Sequence, residues 1–229
     1  MSFNVAVDGP AGAGKSTVAK AAAKAAGLIY VDTGAMYRAI GLYILENGID
    51  IRDEEKVSGA LSGIQVSITY EEGVQKVLLN GKDVSGQIRT QEVGEAASVT
   101  SAYEAVRAKL LELQRSLAAS SDVIMDGRDI GTNILPNADL KIYLTAAVSV
   151  RAKRRYDELI EKGEPAVLSE IEKEIEERDY RDSHREIAPL KRAEDAVLLD
   201  TSEMDIDKAV KTALAMIFER RVEVMARRK

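Results

Sequence analysis

Three observations predict an α/β fold, a parallel sheet flanked by helices. Short apolar runs alternate with helical patterns along most of the 229 residues. A Gly-rich loop joins the first apolar run to the first helical pattern, and residues 64–88 switch to period-two alternation broken by turn signals. The runs at 3–7, 28–31, 123–125, 140–144 and 196–199 read as strands, each short and apolar. Helical periodicity fills 15–26, 35–46, 102–119, 148–161, 169–181 and 206–227, with Gly27 and Gly48 where helix stops belong. Within 64–88, Ile64, Val66, Ile68 and Tyr70 alternate, Glu71-Glu72-Gly73 and Asn80-Gly81 supply turns, and Asn-Gly is the strongest short hairpin signal. That segment predicts a small antiparallel sheet inserted into the parallel fold; the alternative is an edge extension of the main sheet.

Composition narrows the class. With 45% hydrophobic residues the chain can bury one substantial core. It has no Cys, which excludes a disulfide framework and a thiolate metal site. No apolar run approaches the roughly 20 residues of a membrane span, and the start lacks a signal-peptide pattern, so a soluble, cytoplasmic protein is expected. A net charge of −6 argues against general affinity for nucleic acid, which needs a basic face.

The loop itself is Gly9-Pro10-Ala11-Gly12-Ala13-Gly14-Lys15-Ser16-Thr17, a full phosphate-binding pattern between a strand and an Ala-rich helix, and it makes the expected fold a P-loop fold. Its glycines let backbone N–H groups turn inward to phosphate oxygens, and the helix N-terminus adds positive potential. Lys15 has the reach for β- and γ-phosphates, and the Ser16 hydroxyl suits Mg²⁺. Binding of a nucleoside triphosphate follows.

Three further groups carry chemistry. Residues 123–129 open on a buried strand that runs into Asp126, the position from which a carboxylate orients Mg²⁺ or its waters; Arg128 and Asp129 follow at once, one a paired donor to phosphate, the other an acceptor for a substrate. In Asp32-Thr33-Gly34-Ala35-Met36-Tyr37-Arg38 a strand gives way to a helix. Thr33 can cap that helix, and its hydroxyl and Arg38 can also receive a second phosphate; Arg38 on a wet helix face is the plainer reading. Residues 177–185 follow a basic run at 151–155. Arg178, Arg181, Asp182 and Arg185 recur at helical spacing, so they are expected on one face, either a solvated salt-bridge surface or a mobile segment that closes over developing charge. His184, the only histidine, is assigned no catalytic role.

With these residues in view, the chain resembles bacterial-type cytidylate kinases, among the nucleoside monophosphate kinases. The stretches 9–17, 32–38, 83–93, 126–132, 177–190 and 195–201 match the family's motifs in order, and 83–93 and 127–132 are specific to it. The resemblance implies a single P-loop kinase domain over 1–229, with a monophosphate-binding region at 33–100 that includes the insertion 64–88, and a helical lid at 151–187. It implies that Thr33, Arg38 and Arg128 hold the acceptor's α-phosphate. Ser98 and Asp129 would accept from the cytosine amino group, Arg107 and Arg185 would donate to its O2 and N3 edge, and Arg178 and Asp182 would meet the ribose hydroxyls. Lys15, Arg128, Arg178 and Arg181 are the expected catalytic groups, with ATP as donor and Mg²⁺ at Ser16 and Asp126. Family members often carry Ser where Thr33 stands, which keeps the hydroxyl. The reaction implied is phosphoryl transfer from ATP to CMP or dCMP by a monomer, without nucleic acid or membrane. The alternatives are a kinase of another small acceptor, UMP or shikimate, and a nucleotide-switch module of the GTPase type. Against the last, no Asn-Lys-x-Asp run is present.

Overall fold

The computed structural model describes residues 2–227. Its strands and helices run β1 (Asn4–Asp8), α1 (Lys15–Ala26), β2 (Ile29–Asp32), α2 (Thr33–Glu46), α3 (Glu54–Ala60), β3 (Val66–Glu71), β4 (Val74–Leu79), β5 (Lys82–Asp83), α4 (Gln91–Thr100) and α5 (Glu104–Ser120). The second half continues β6 (Val123–Gly127), β7 (Leu140–Thr145), α6 (Val148–Glu161), α7 (Leu168–His184), β8 (Val197–Asp200) and α8 (Ile206–Arg227). The chain divides into two compact units, one of residues 31–121 joined by Ser2, the other of residues 3–30 and 122–227.

The parallel sheet has the order β2-β6-β1-β7-β8, and the larger unit holds β1, β6, β7, β8 and the first two residues of β2. Alternate residues of its strands, among them Val5, Val7, Ile124, Ile142 and Leu144, share one core with α1 and α8. Those helices offer Ala19, Ala22 and Ala23 from α1 and Ala209 and Ala213 from α8, small side chains that let helices approach closely. Gly27 ends α1 in the left-handed region at φ 67°, its N–H donating to the Ala23 carbonyl oxygen, as its place in the sequence predicted. Elsewhere in this unit, α6 and α7 pack through Ala152, Ile171 and Ile175.

The smaller unit centres on α2, whose buried residues cover most of its circumference. Asp32 caps this helix, its Oδ1 accepting from Ala35 N at 2.9 Å. That corrects the expectation that Thr33 does so: Thr33 is already the first helical residue, and the carboxylate of the preceding Asp32, at the capping position, meets the free N–H. Packing of α4 against α2 is close at Gly41, where a Cβ would come within 3.0 Å of Ala97 N and 3.2 Å of Ala96 Cβ. The segment 64–88 forms a separate three-stranded antiparallel sheet, β3-β4-β5, and not an edge extension of the parallel one. Its two tight turns place Glu72 and Gly73, then Asn80 and Gly81, at positive φ, the geometry that matches strand twist in two-residue hairpins.

Candidate active site

In the larger unit β1 runs straight into the phosphate loop. Gly9, Gly12 and Gly14 all have positive φ, so the chain curls before α1 begins at Lys15. Lys15 is 6% exposed and its Nζ donates to the Pro10 carbonyl oxygen at 2.8 Å. Burial, with the charge of Arg128, pulls its proton affinity well below that of a free lysine, against the opposing charges of Asp126, Asp182 and Asp8. The anionic oxygens of a polyphosphate are the complement of such an ammonium. Arg151 of α6, buried, supports the loop from beneath: it donates to the Ala11 carbonyl oxygen at 2.9 Å and pairs with Asp179 of α7 at 2.7 Å. The sequence offered Arg151 only as the first member of a basic run.

At the end of β6, the buried Asp126 accepts from the Ser16 hydroxyl at 2.7 Å and from the Tyr30 hydroxyl at 3.1 Å. Ser16 and Asp126, the two residues expected at Mg²⁺, thus meet each other; Tyr30 was missed because an aromatic residue in a strand reads as core. Two hard oxygen donors suit Mg²⁺, which takes few protein ligands and completes its shell from phosphates and water. No cluster of three or more His, Cys, Asp or Glu able to hold a metal occurs among the described residues.

The turn after β6 presents the next two predicted residues. Arg128 Nε donates to Asp182 Oδ2 at 2.9 Å, fixing the guanidinium against α7. Asp129, 3% exposed, accepts from Asn133 Nδ2 at 3.1 Å and from Arg185 at 3.4 Å. Burial alone would push the Asp182 carboxyl up, but the charges of Arg128, Arg178 and Arg185 outweigh it and hold the group below the usual carboxylate range. Two parts of the one-face expectation need correction. Arg185 lies beyond α7, in extended backbone, because the chain turns there to bring its Nε to the Ala188 carbonyl oxygen at 2.6 Å and Leu190 N to the Asp182 carbonyl oxygen at 2.7 Å. Arg181 is exposed while Asp182 is buried, so the helix turns them into different surroundings. His184 stacks on the exposed ring of Tyr180, centroids 4.0 Å apart.

Asp8 was not foreseen. It closes β1, and its two carboxylate oxygens accept from Ile130 N and Gly131 N, each at 2.7 Å, so the strand that starts the phosphate loop also caps the turn carrying Asp129. Burial pushes its carboxyl up to about 6 from 3.8, with the two N–H donors resisting. Between those values the folded state holds a proton that the unfolded state has released, so stability from this group is present at low pH and is lost as pH rises through about 6. We expect the stability difference between wild type and Asp8→Asn to shift by about 2 kcal/mol against wild type between about pH 4 and about pH 7. Denaturant melts across that range check it, and a constant difference would show that Asp8 ionises normally.

In the smaller unit, Thr33 is buried at the first position of α2. Arg38, one turn on, donates to the carbonyl oxygens of Ile88 at 3.1 Å and Thr90 at 3.3 Å. Its guanidinium lies against bare backbone at Gly94, where a Cβ would stand 2.9 Å from a guanidinium nitrogen. Arg107 of α5 is buried, donates to the Ser101 carbonyl oxygen at 3.2 Å and sits 5.7 Å from the centre of the Tyr37 ring. The Ser98 carbonyl oxygen takes the Ser101 hydroxyl at 3.0 Å, so Ser98 and Arg107 meet the same residue.

Comparison with known proteins places these features in a family. A family model described as cytidylate kinase matches residues 5–219. The chain is 53% identical over 208 residues to a cytidylate kinase of Lactobacillus johnsonii, covering 91% of this chain and 90% of that one. With a cytidylate kinase of Leuconostoc mesenteroides it shares 49% identity over 96% of this chain and 98% of the other. A solved gluconokinase from Sinorhizobium meliloti is similar in fold, with TM-score 0.51, 15% identity and coverage of 98% of this chain and 97% of that one. The match to the family model is nearly as long as the chain, and the relatives align almost end to end: the chain belongs to the cytidylate kinase family.

Proposed function

We propose that the chain transfers the γ-phosphoryl group of ATP to CMP or dCMP, giving ADP and CDP or dCDP. The arrangement that carries this reading is a phosphate loop, with Lys15 buried and Ser16 bonded to Asp126, in the same unit as a turn presenting Arg128 and Asp129 side by side. An oxygen of the acceptor's α-phosphate attacks the γ-phosphorus as the bond to the ADP oxygen breaks. That oxygen is already anionic, so no strong base and no covalent enzyme intermediate are needed. Lys15, Arg128, Arg178 and Arg181 neutralise charge on the transferring group, which is where preorganised donors matter most. The segment 9–17 cradles the donor's phosphates. Ser16 and Asp126 would hold Mg²⁺, which when bound would supply positive charge to the donor's phosphates.

On the acceptor, we assign Thr33, Arg38 and Arg128 to the α-phosphate and Arg178 and Asp182 to the ribose hydroxyls. Ser98 and Asp129 take the cytosine amino group, and Arg107 and Arg185 the O2 and N3 edge. The region 33–100 then serves the monophosphate, and 151–187 acts as the lid. Among the described residues no helix is long and apolar enough to cross a membrane. We take the enzyme to act as a monomer in the cytoplasm on small nucleotides, without nucleic acid.

The test is a coupled assay for ADP release with CMP, dCMP, UMP, AMP and shikimate. CMP and dCMP should be the favoured acceptors. Uracil sets a carbonyl oxygen against the Asp129 carboxylate, so UMP should be worse in kcat/KM by about a hundredfold or more, the size expected when a buried polar group loses its partner. Equal use of CMP and UMP would remove the pairing with Asp129, and preference for shikimate or AMP would overturn the reading as a whole.

A further inference from the structure

The three-stranded insertion makes one contact that its own sheet does not require. Gln75 lies near the start of β4, on the face that carries the buried Val77 and Leu79. Its side-chain amide meets the main chain of Asp32 twice: Oε1 accepts from Asp32 N at 2.8 Å and Nε2 donates to the Asp32 carbonyl oxygen at 3.1 Å. This is the donor and acceptor pair that a neighbouring strand would offer, supplied here by a side chain. Asp32 is a junction. Its Oδ1 caps α2 at Ala35 N, and its Oδ2 pairs with Arg89 at 3.3 Å. Ile88 and Thr90, the residues flanking Arg89, give the carbonyl oxygens that hold Arg38. Thr33, at the head of α2, follows Asp32 directly. A run of hydrogen bonds and peptide links, all inside the smaller unit, therefore joins the insertion to both residues of that unit assigned to the acceptor's phosphate.

We infer that Gln75 is a positioning residue for the acceptor's phosphate: by clamping Asp32 N–H and C=O it fixes the turn from which Thr33 and the first amides of α2 reach the phosphate. The inference rests on the assignment of Thr33 and Arg38 made above. An amide of this length is the side chain that serves. A carboxylate in its place accepts from Asp32 N but cannot donate to Asp32 O, and it adds charge beside the Asp32 carboxylate. A thioether of the same length keeps the packing and makes neither bond. Holding a binding group in its productive geometry lowers the ordering cost of binding, so loss of the clamp falls on the ligand that uses the turn and on no other.

The experiment compares wild type, Gln75→Met and Gln75→Glu. It reads KM for CMP, KM for ATP, the inhibition constant of cytidine, which lacks the phosphate, and thermal stability. In Gln75→Met, KM for CMP should rise about five- to tenfold, with KM for ATP and the cytidine inhibition constant within twofold of wild type. Gln75→Glu should raise KM for CMP at least as much. An unchanged KM for CMP in a folded Gln75→Met protein overturns the inference, and so does equal weakening of CMP and cytidine, or of CMP and ATP, since each of those is what a purely structural tie would give. If wild type itself fails to phosphorylate CMP, the proposed activity has failed, an outcome distinct from a silent Gln75 variant in an active enzyme.

Discussion

Lys15→Ala should yield a folded protein whose turnover is lower by about a hundredfold or more, the typical worth of one preorganised charge donor in a transition state. Lys15 lies at 6% exposure with its ammonium on the Pro10 carbonyl oxygen, in surroundings that already disfavour its charge. The transition state, with negative charge spread over three equatorial oxygens, gains more from that ammonium than the ground state does, so the loss should fall chiefly on kcat. Folding should survive. The fold of α1 rests on Val18, Ala19, Ala22 and Ala23, and removing a buried cation relieves a desolvation cost. Steady-state kinetics with a melting curve of the same preparation decide it, and near-normal turnover in a folded variant would take Lys15 out of the mechanism.

Gly9→Ala should be the most damaging single methyl group in the phosphate loop. Gly9 has φ 150°, and an added Cβ would lie 1.9 Å from the carbonyl oxygen of Leu144. Neither side can yield cheaply. Leu144 is fully buried in β7, whose register with β1 pairs Val7 with Ile142 and Asp8 with Tyr143, so relief requires two central strands to part. A loss of about 4 kcal/mol or more is expected, in the range reached by few substitutions. Gly27→Ala is the control. It also has positive φ, at 67°, but nothing stands within 4 Å of its added Cβ, so only the backbone cost of about 1 kcal/mol applies. Denaturant midpoints of the two variants measure the contrast, and a Gly9→Ala loss no larger than that of Gly27→Ala would mean the loop rearranges freely.

Where local pattern alone decides structure, the sequence was a sufficient guide. Lys15–Ala26 and Val148–Glu161 begin and end where periodicity, and for the first of them Gly27, placed them, and the last helix begins at Ile206 as read. The insertion was legible because Asn80-Gly81 allows little but a tight hairpin. Two helices were not. Glu54–Ala60 buries only Val57, and Gln91–Thr100 buries a single larger apolar residue, Val93, beside Thr100 and the small Gly94, Ala96 and Ala97, a set that registers as no apolar stripe and is held by its fit against α2. The site shows the same division. Residue types adjacent in sequence named Lys15, Ser16, Asp126 and Asp129 in advance, whereas Asp8 acts on amides 122 and 123 residues away and Gln75 on a residue 43 away. Such partners exist only once the chain has folded.

The bare backbone beneath Arg38 sets two demands on α4 against each other. Gly94 sits inside that helix, where glycine costs about 1 kcal/mol relative to alanine, and the cost stands whether or not substrate is present. Alanine would favour the helix and at the same stroke push a methyl group into the guanidinium lying on it. On the proposed assignment of Arg38 to the acceptor's phosphate, thermostability and catalysis are in opposition here over a single carbon atom, and a search that ranks substitutions by melting temperature alone will be drawn toward a change that dislodges that arginine.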